Sequence, residues 1–237
     1  MKQKSLCRLT WLGHSAFCLE TPSGKKILFD PWLDNPKAPK TAKEISAVDF
    51  ILISHGHSDH VGNTIEIANR TGAKVIAMYE VTLYLQRMGL TDVRSMNKGG
   101  TFASEGISFT MVDAKHSADI DTGGDIIPGG EAAGFVVRLE DGQTVYHAGD
   151  TNVFLDMQLI EQLYKPSVAL LPIGGIFTMG PREAALACTF LRPKIIIGMH
   201  YGTFPLLTGT PAQLREFLPL DLRDRVHELE PGMPVDL

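Results

Sequence analysis

Short apolar runs cut off by turn residues fill the first third of the chain. They predict strands over residues 6–12, 16–20, Lys26–Phe29 and 50–54, with a Pro22-Ser23-Gly24 turn between the second and third. Strands joined in this way are expected to pair antiparallel. The period then changes. Asn63-Thr64-Ile65-Glu66 has the form of a capped helix start, with Glu three positions after Asn, and Gly72 marks the end. A strand over Lys74–Met78 and a helix over 81–88, closed by Gly89, come next, and Ile107, Phe109 and Met111 alternate in a strand region that runs to Ala114. Residues 133–139 and Thr144–His147 flank Glu140-Asp141-Gly142, a hairpin signal. The last third alternates helix and strand: Met157–Tyr164, Val168–Pro172, Pro181–Leu191, 194–199, and a final helix opening at Thr210-Pro211. Pro181 takes the favoured first helical position. Strands followed by helix–strand alternation predict a layered α/β (α+β) protein with sheets inside and helices outside.

Composition narrows the class without naming it. With 44% hydrophobic and 21% charged residues, and Pro and Gly spread evenly, the 237 residues read as one globular domain with no linker. Runs such as 168–171 and 194–197 fall far short of the ~20 apolar residues a membrane helix needs. The basic start (Lys2, Lys4, Arg8) leads into a run broken by Thr10, Gly13, His14 and Ser15, which does not form a signal-peptide core. A cytoplasmic location is therefore expected. Cys7, Cys18 and Cys188 form neither an even disulfide framework nor a C-x-x-C pair and read as small core residues. The net charge of -5, without a basic stripe, argues against nucleic acid. A small-molecule substrate is the expected partner, and a homo-oligomer stays open.

The chemistry concentrates in Ser54-His55-Gly56-His57-Ser58-Asp59-His60, where the apolar strand Phe50-Ile51-Leu52-Ile53 runs out. Imidazole and carboxylate suit Zn, Fe or Mn, and a rigid strand end can aim a short loop at an ion. A solvated His-rich loop is the bland alternative, but H-x-H-x-D-H after a buried strand is far more restrictive than a lone histidine.

This motif resembles that of the metallo-beta-lactamase superfamily, and the remaining residues of the family pattern are present downstream. They are His116 after Met111-Val112-Asp113-Ala114-Lys115, Asp150 in Tyr146-His147-Ala148-Gly149-Asp150-Thr151, and His200 closing Ile195-Ile196-Ile197-Gly198-Met199. The resemblance covers essentially the whole chain and implies an αββα sandwich of two mixed sheets flanked by helices. It implies a first divalent ion on His55, His57 and His116, a second on Asp59, His60 and His200, and Asp150 bridging them. Zn is the first expectation for both ions, with Mn or Fe as alternatives. Asp30, ending Ile27-Leu28-Phe29 and followed by Pro31-Trp32, matches a buried acid that supports the ligand loop. Local wording (Leu12-Gly13-His14-Ser15, Phe177-Thr178-Met179-Gly180-Pro181, and the stretch from His200 to Gly209) is similar to small bacterial and archaeal metal-dependent hydrolases. These are similar in turn to ascorbate-6-phosphate lactonase and the N-acylphosphatidylethanolamine-hydrolysing phospholipase D. That group carries Asp-Asn after Pro-Ile-Gly, where Gly175-Ile176 stand here.

The activity implied is hydrolysis of a small ester-like bond, a phosphodiester or a lactone or amide, by metal-bound hydroxide, with Asp59 and Asp150 as catalytic residues. No G-x-S-x-G or P-loop signature competes. A diiron redox protein of this fold is disfavoured because His57 is not Glu and no flavin domain is present. A metal-binding protein without activity is disfavoured because all seven ligand positions are kept. His14, Thr178 and Tyr201 are candidate substrate contacts, and His147 and His227 read as structural. The loops at Gly180-Pro181 and 201–208 are expected to face the site, the former offering free backbone N–H groups to an anion. The glycine-rich, acidic stretch 117–131, directly after His116, is expected to be a flexible lid.

Overall fold

The computed structural model describes residues 7–237. The strands are β1 (Arg8–Trp11), β2 (Phe17–Glu20), β3 (Lys26–Phe29), β4 (Phe50–Ile53), β5 (Lys74–Met78), β6 (Val93–Met96), β7 (Thr101–Ser104), β8 (Ile107–Asp113), β9 (Ile120–Asp121) and β10 (Ile126–Ile127). The later ones are β11 (Ala133–Arg138), β12 (Thr144–His147), β13 (Val168–Pro172), β14 (Ile195–Met199), β15 (Val226–His227) and β16 (Pro234–Asp236). The helices are α1 (Ser58–Val61), α2 (Thr64–Thr71), α3 (Tyr79–Arg87), α4 (Met157–Tyr164), α5 (Pro181–Leu191), α6 (Pro211–Phe217) and α7 (Leu220–Arg223). Leu6, where the apolar pattern starts the first strand, lies outside the described residues.

Two seven-stranded sheets, ordered β16-β1-β2-β3-β4-β5-β6 and β15-β14-β13-β12-β11-β8-β7, form the αββα sandwich that the resemblance implies. Both are mixed. The expectation of antiparallel pairing throughout the first third holds for β1, β2 and β3 but fails beyond them, because β4 pairs parallel with both β3 and β5. The connection between β3 and β4 is long enough to return the chain over the sheet before the next strand begins, as a parallel pairing requires. In the second sheet β8, β11 and β12 alternate in direction, and β12, β13, β14 and β15 run parallel. The carboxyl ends of β8, β12 and β14 therefore share one edge.

The core lies between the sheets. Phe17, Phe29, Phe109, Phe135 and Tyr146 are all buried, and Phe50 and Phe109 meet across the layers at 4.8 Å between centroids. Each such side chain withdrawn from water contributes roughly 1.5–3 kcal/mol. The capped start at Asn63 takes a different form. Its amide does not cap α2; Oδ1 accepts from the Leu33 amide (2.7 Å) and Nδ2 donates to Asp34 (2.7 Å), tying the helix start to the loop after β3. Gly72 closes α2 in the left-handed region (φ 73°), and Thr210 caps α6 by accepting from the Gln213 amide.

Candidate metal centre

Every candidate ligand leaves the end of a strand. His55, His57, Asp59 and His60 follow β4, the last two in the single turn α1; His116 follows β8, Asp150 follows β12 and His200 follows β14. One donor atom each from His55, His57 and His116 lie within 4.8 Å of one another, as do those of Asp59, His60 and His200 with His14, and those of His55, His60 and Asp150. Asp150 stands between the groups: Oδ1 is 3.3 Å from His60 Nε2, and Oδ2 is 3.0 Å from His200 Nε2 and 3.7 Å from His116 Nε2.

The nitrogens of His55, His57 and His60 turned away from the cluster are anchored, whereas His200 Nδ1 is buried without a hydrogen-bond partner. The Asp30 carboxylate accepts from the Ser54 amide (2.8 Å), the Ser54 hydroxyl (2.7 Å) and His60 Nδ1–H (2.8 Å). Ser54 has spent its only hydroxyl hydrogen on Asp30, so at His55 Nδ1 (3.0 Å) it accepts. Each ring thus turns Nε2 towards the cluster. His57 rests its Nε2 on Ser117 Oγ (3.3 Å) and turns Nδ1 to His55 Nε2 (2.9 Å). Asp30 achieves this from a left-handed backbone (φ 41°), and His200 sits at φ 55°. Such conformations cost non-glycine residues roughly 1–2 kcal/mol each and persist where the surroundings over-determine them.

The electrostatics suit a cation. Burial opposes charge on Asp150, but His200 and His60 outweigh it and hold the carboxyl well below the usual range. Burial also opposes a charged His60, yet Asp150, Asp30 and Asp59 raise its pKa well above that of a free imidazole. Burial lowers His55 strongly, and lowers His57 and His116, keeping them neutral as ligands must be. His60 Nε2 and Asp150 Oδ1 are buried, face each other and make no hydrogen bond. Unpaired donors and acceptors of this kind inside a cluster of His and Asp fit divalent metal better than they fit a closed hydrogen-bond network.

The three expected substrate contacts are placed differently from one another. His14 is completely buried, with Nε2 3.0 Å from Asp59 Oδ2 and Nδ1 3.0 Å from Thr203 Oγ1, and burial pushes its pKa down to about 4. Tyr201 packs on Trp11 (5.3 Å) beneath Lys37 (4.5 Å), and burial raises its phenol to about 12. Half-buried Thr178 donates to the Met179 carbonyl (3.4 Å). Among the described residues, neither Tyr201 nor Thr178 hydrogen-bonds the cluster. The N-terminus of α5 is met by its own Glu183, whose carboxylate accepts from the Gly180 amide (3.2 Å). His147 braces the frame: Nε2 donates to the Ser15 carbonyl (2.9 Å) and Nδ1 accepts from the Gly149 amide (3.2 Å).

The stretch 117–131 is a small hairpin of β9 and β10. Ile120 is buried at its base, and Ala118 accepts from the Gly56 amide (3.2 Å), so only the tip projects. Across the site, Phe204 lies 5.8 Å from both His14 and Trp32. Phe204, Leu206, Ile176 and Phe177 all expose apolar surface on two loops joined by the Gly209 amide on the Gly174 carbonyl (3.2 Å). Thr203 and Phe204 lie in the loop 201–208 that the sequence placed at the site, but no signal singled them out, nor the roles of Ser54 and Ser117, since hydroxyl and aromatic residues are common in any loop.

Residues 8–200 match the family model described as the beta-lactamase superfamily domain, and the chain belongs to that family. It is 50% identical to a metal-dependent hydrolase of Solibacter usitatus, over 96% of this chain and 98% of that one. It is 48% identical to a metal-dependent hydrolase of Koribacter versatilis, over 95% and 96%. Among solved structures it is similar to Igni18, a metallo hydrolase from the hyperthermophilic archaeon Ignicoccus hospitalis, with a TM-score of 0.87, 35% identity and 98% of each chain covered.

Proposed function

We propose that this member of the beta-lactamase superfamily is a metal-dependent hydrolase with a dinuclear centre, acting on a small ester-like substrate, a phosphodiester or a lactone or amide. The observation that carries the reading is the place of Asp150, whose two oxygens reach imidazoles of both donor groups. His55, His57 and His116 would hold one ion and Asp59, His60 and His200 the other, with zinc the best match to this His- and Asp-rich set. Divalent ions held in this way lower the pKa of bound water towards ~7 and polarise the substrate oxygen.

The protein's own part is to orient and to move protons. Asp30 fixes the His60 ring through Nδ1 and the ligand loop through Ser54. Asp59, with its side chain 27% exposed against 3% for Asp150, is the carboxylate open to the cleft and takes the proton-transfer role. Asp150, closed off from solvent, serves to hold charge. Phe204, packed beside His14, offers apolar surface next to the cluster and favours an organic group beyond the scissile bond. Unpaired thiols at Cys7, Cys18 and Cys188 suit a reducing compartment, and we place the protein in the cytoplasm.

Elemental analysis of the purified chain, combined with chromogenic phosphodiesters, lactones and thioesters, tests the reading. Two equivalents of metal and metal-dependent turnover of one class are expected. Metal-free protein with full turnover would refute it.

A further inference from the structure

His14 is outside the ligand set that the family pattern assigns, although its ring reaches the group of Asp59, His60 and His200, and the fold spends much on its placement. It lies in the turn between β1 and β2 at φ 50°, after Gly13 at φ 88°, where a Cβ would run into Asn35 and the backbone at 37–38. Its carbonyl accepts from Trp11 Nε1 (2.9 Å) and from the His200 amide (3.1 Å), and the next carbonyl, of Ser15, accepts from His147. A left-handed non-glycine residue held by so many bonds is over-determined, the condition under which strain marks function.

The bonds serve the direction of the ring. An ionised carboxylate only accepts, so the 3.0 Å contact with Asp59 Oδ2 requires hydrogen on His14 Nε2. In a ring with one N–H, Nδ1 then accepts from the Thr203 hydroxyl at 3.0 Å. Thr203 lies three residues beyond His200, whose amide bonds the His14 carbonyl. Asp59 from one sheet and His200 from the other are therefore tied to the same turn. Asp59 Oδ2, the oxygen that His14 holds, is also the one nearest His60 Nε2 (3.8 Å) and His200 Nε2 (3.9 Å).

We infer that His14 is a positioning residue that sets the Asp59 carboxylate for the pocket it shares with His60 and His200, with Thr203 fixing the ring's tautomer. The inference rests on the two-ion reading above. Outer partners of metal ligands are worth about 10–100-fold in metal affinity.

Cobalt(II) titration of the metal-free full chain, followed by visible absorption and calorimetry, tests it. For His14→Ala, one of the two dissociation constants should rise by about 10–100-fold while the other holds. His14→Gln, whose side-chain N–H can replace Nε2–H, should recover most of the loss. Thr203→Val should shift the same constant by less. Thermal unfolding of the metal-free variants separates lost folding from lost binding. If His14→Ala does not fold, Thr203→Val decides, with a rise in one constant alone expected. Unchanged constants in the folded variants would overturn the inference. So would a cobalt spectrum that loses a nitrogen ligand in both His14 variants, because His14 would then be a ligand itself. A wild-type chain that binds a single equivalent refutes the two-ion reading, and that result is visible before any variant is measured.

Discussion

The two donor pockets are built on different principles. His55, His57 and His116 form an all-imidazole pocket in which His55 and His57 rest on the hydroxyls of Ser54 and Ser117, and whose two outer members, His57 and His116, are partly open to solvent. Asp59, His60 and His200 form a pocket that includes a carboxylate, is backed by Asp30 on His60 and His14 on Asp59, and is almost entirely buried at the two imidazoles. The second pocket is more negative and more tightly braced, so it should hold a cation harder. The first should exchange with solvent and lose its ion sooner.

Changes that strike both pockets should have the largest effect. Asp150→Ala removes the residue that faces both, and turnover should fall to background with loss of both metals. Two metals and full turnover in that variant would contradict the bridging role. Asp30→Asn acts on the braced pocket directly, through His60, and reaches the other only indirectly, through Ser54 and His55, and Asn tolerates the positive φ. It should weaken one metal by about 10–100-fold and lower metal-free stability by about 1–3 kcal/mol, because a buried donor of Ser54 or His60 loses its acceptor. Calorimetry and thermal unfolding check both numbers. An Asp30→Asn chain with wild-type affinities would erase the contrast between the pockets. On the open pocket, His57→Ala should leave one ion bound after dialysis, and graded chelation of the wild type should remove metal from His55, His57 and His116 first. Release in the reverse order would show that buried carboxylate does not govern retention.

This contrast was only half legible in the sequence. H-x-H-x-D-H is local, so its spacing alone announces a site, whereas His116, Asp150 and His200 became candidates through a family pattern. The elements were readable where apolar runs met turn residues, as at Glu140-Asp141-Gly142, which closes the hairpin of β11 and β12 with Gly142 at φ 88°. What escaped depends on contacts between distant residues. The parallel pairing of β3 with β4 is decided by where the long connection returns the chain, which periodicity does not encode. His14 is buried among residues far away in sequence, Thr203 and Asp59 among them, so a turn histidine that looked available to substrate faces Asp59. In 117–131 the glycines and acids masked Ile120, whose burial anchors the hairpin.

The smallest effects should come from outside both pockets. Trimming the hairpin tip at 122–125 leaves Ile120 and the Ala118–Gly56 bond in place, so metal content and thermal midpoint should stay near wild type, with any loss of kcat confined to the preferred substrate. Equal losses on large and small esters would show that the hairpin instead holds His116 and Ser117 in place. Exposed His227, changed to Ala, should leave metal content and turnover unchanged.

The central claim, two ions sharing Asp150, is tested most directly by anomalous scattering from crystals grown with zinc. The account predicts two peaks roughly 3.5–4 Å apart, one within ligand distance of His55, His57 and His116, the other of Asp59, His60 and His200, with Asp150 touching both. A single peak, or two peaks without Asp150 between them, would contradict it.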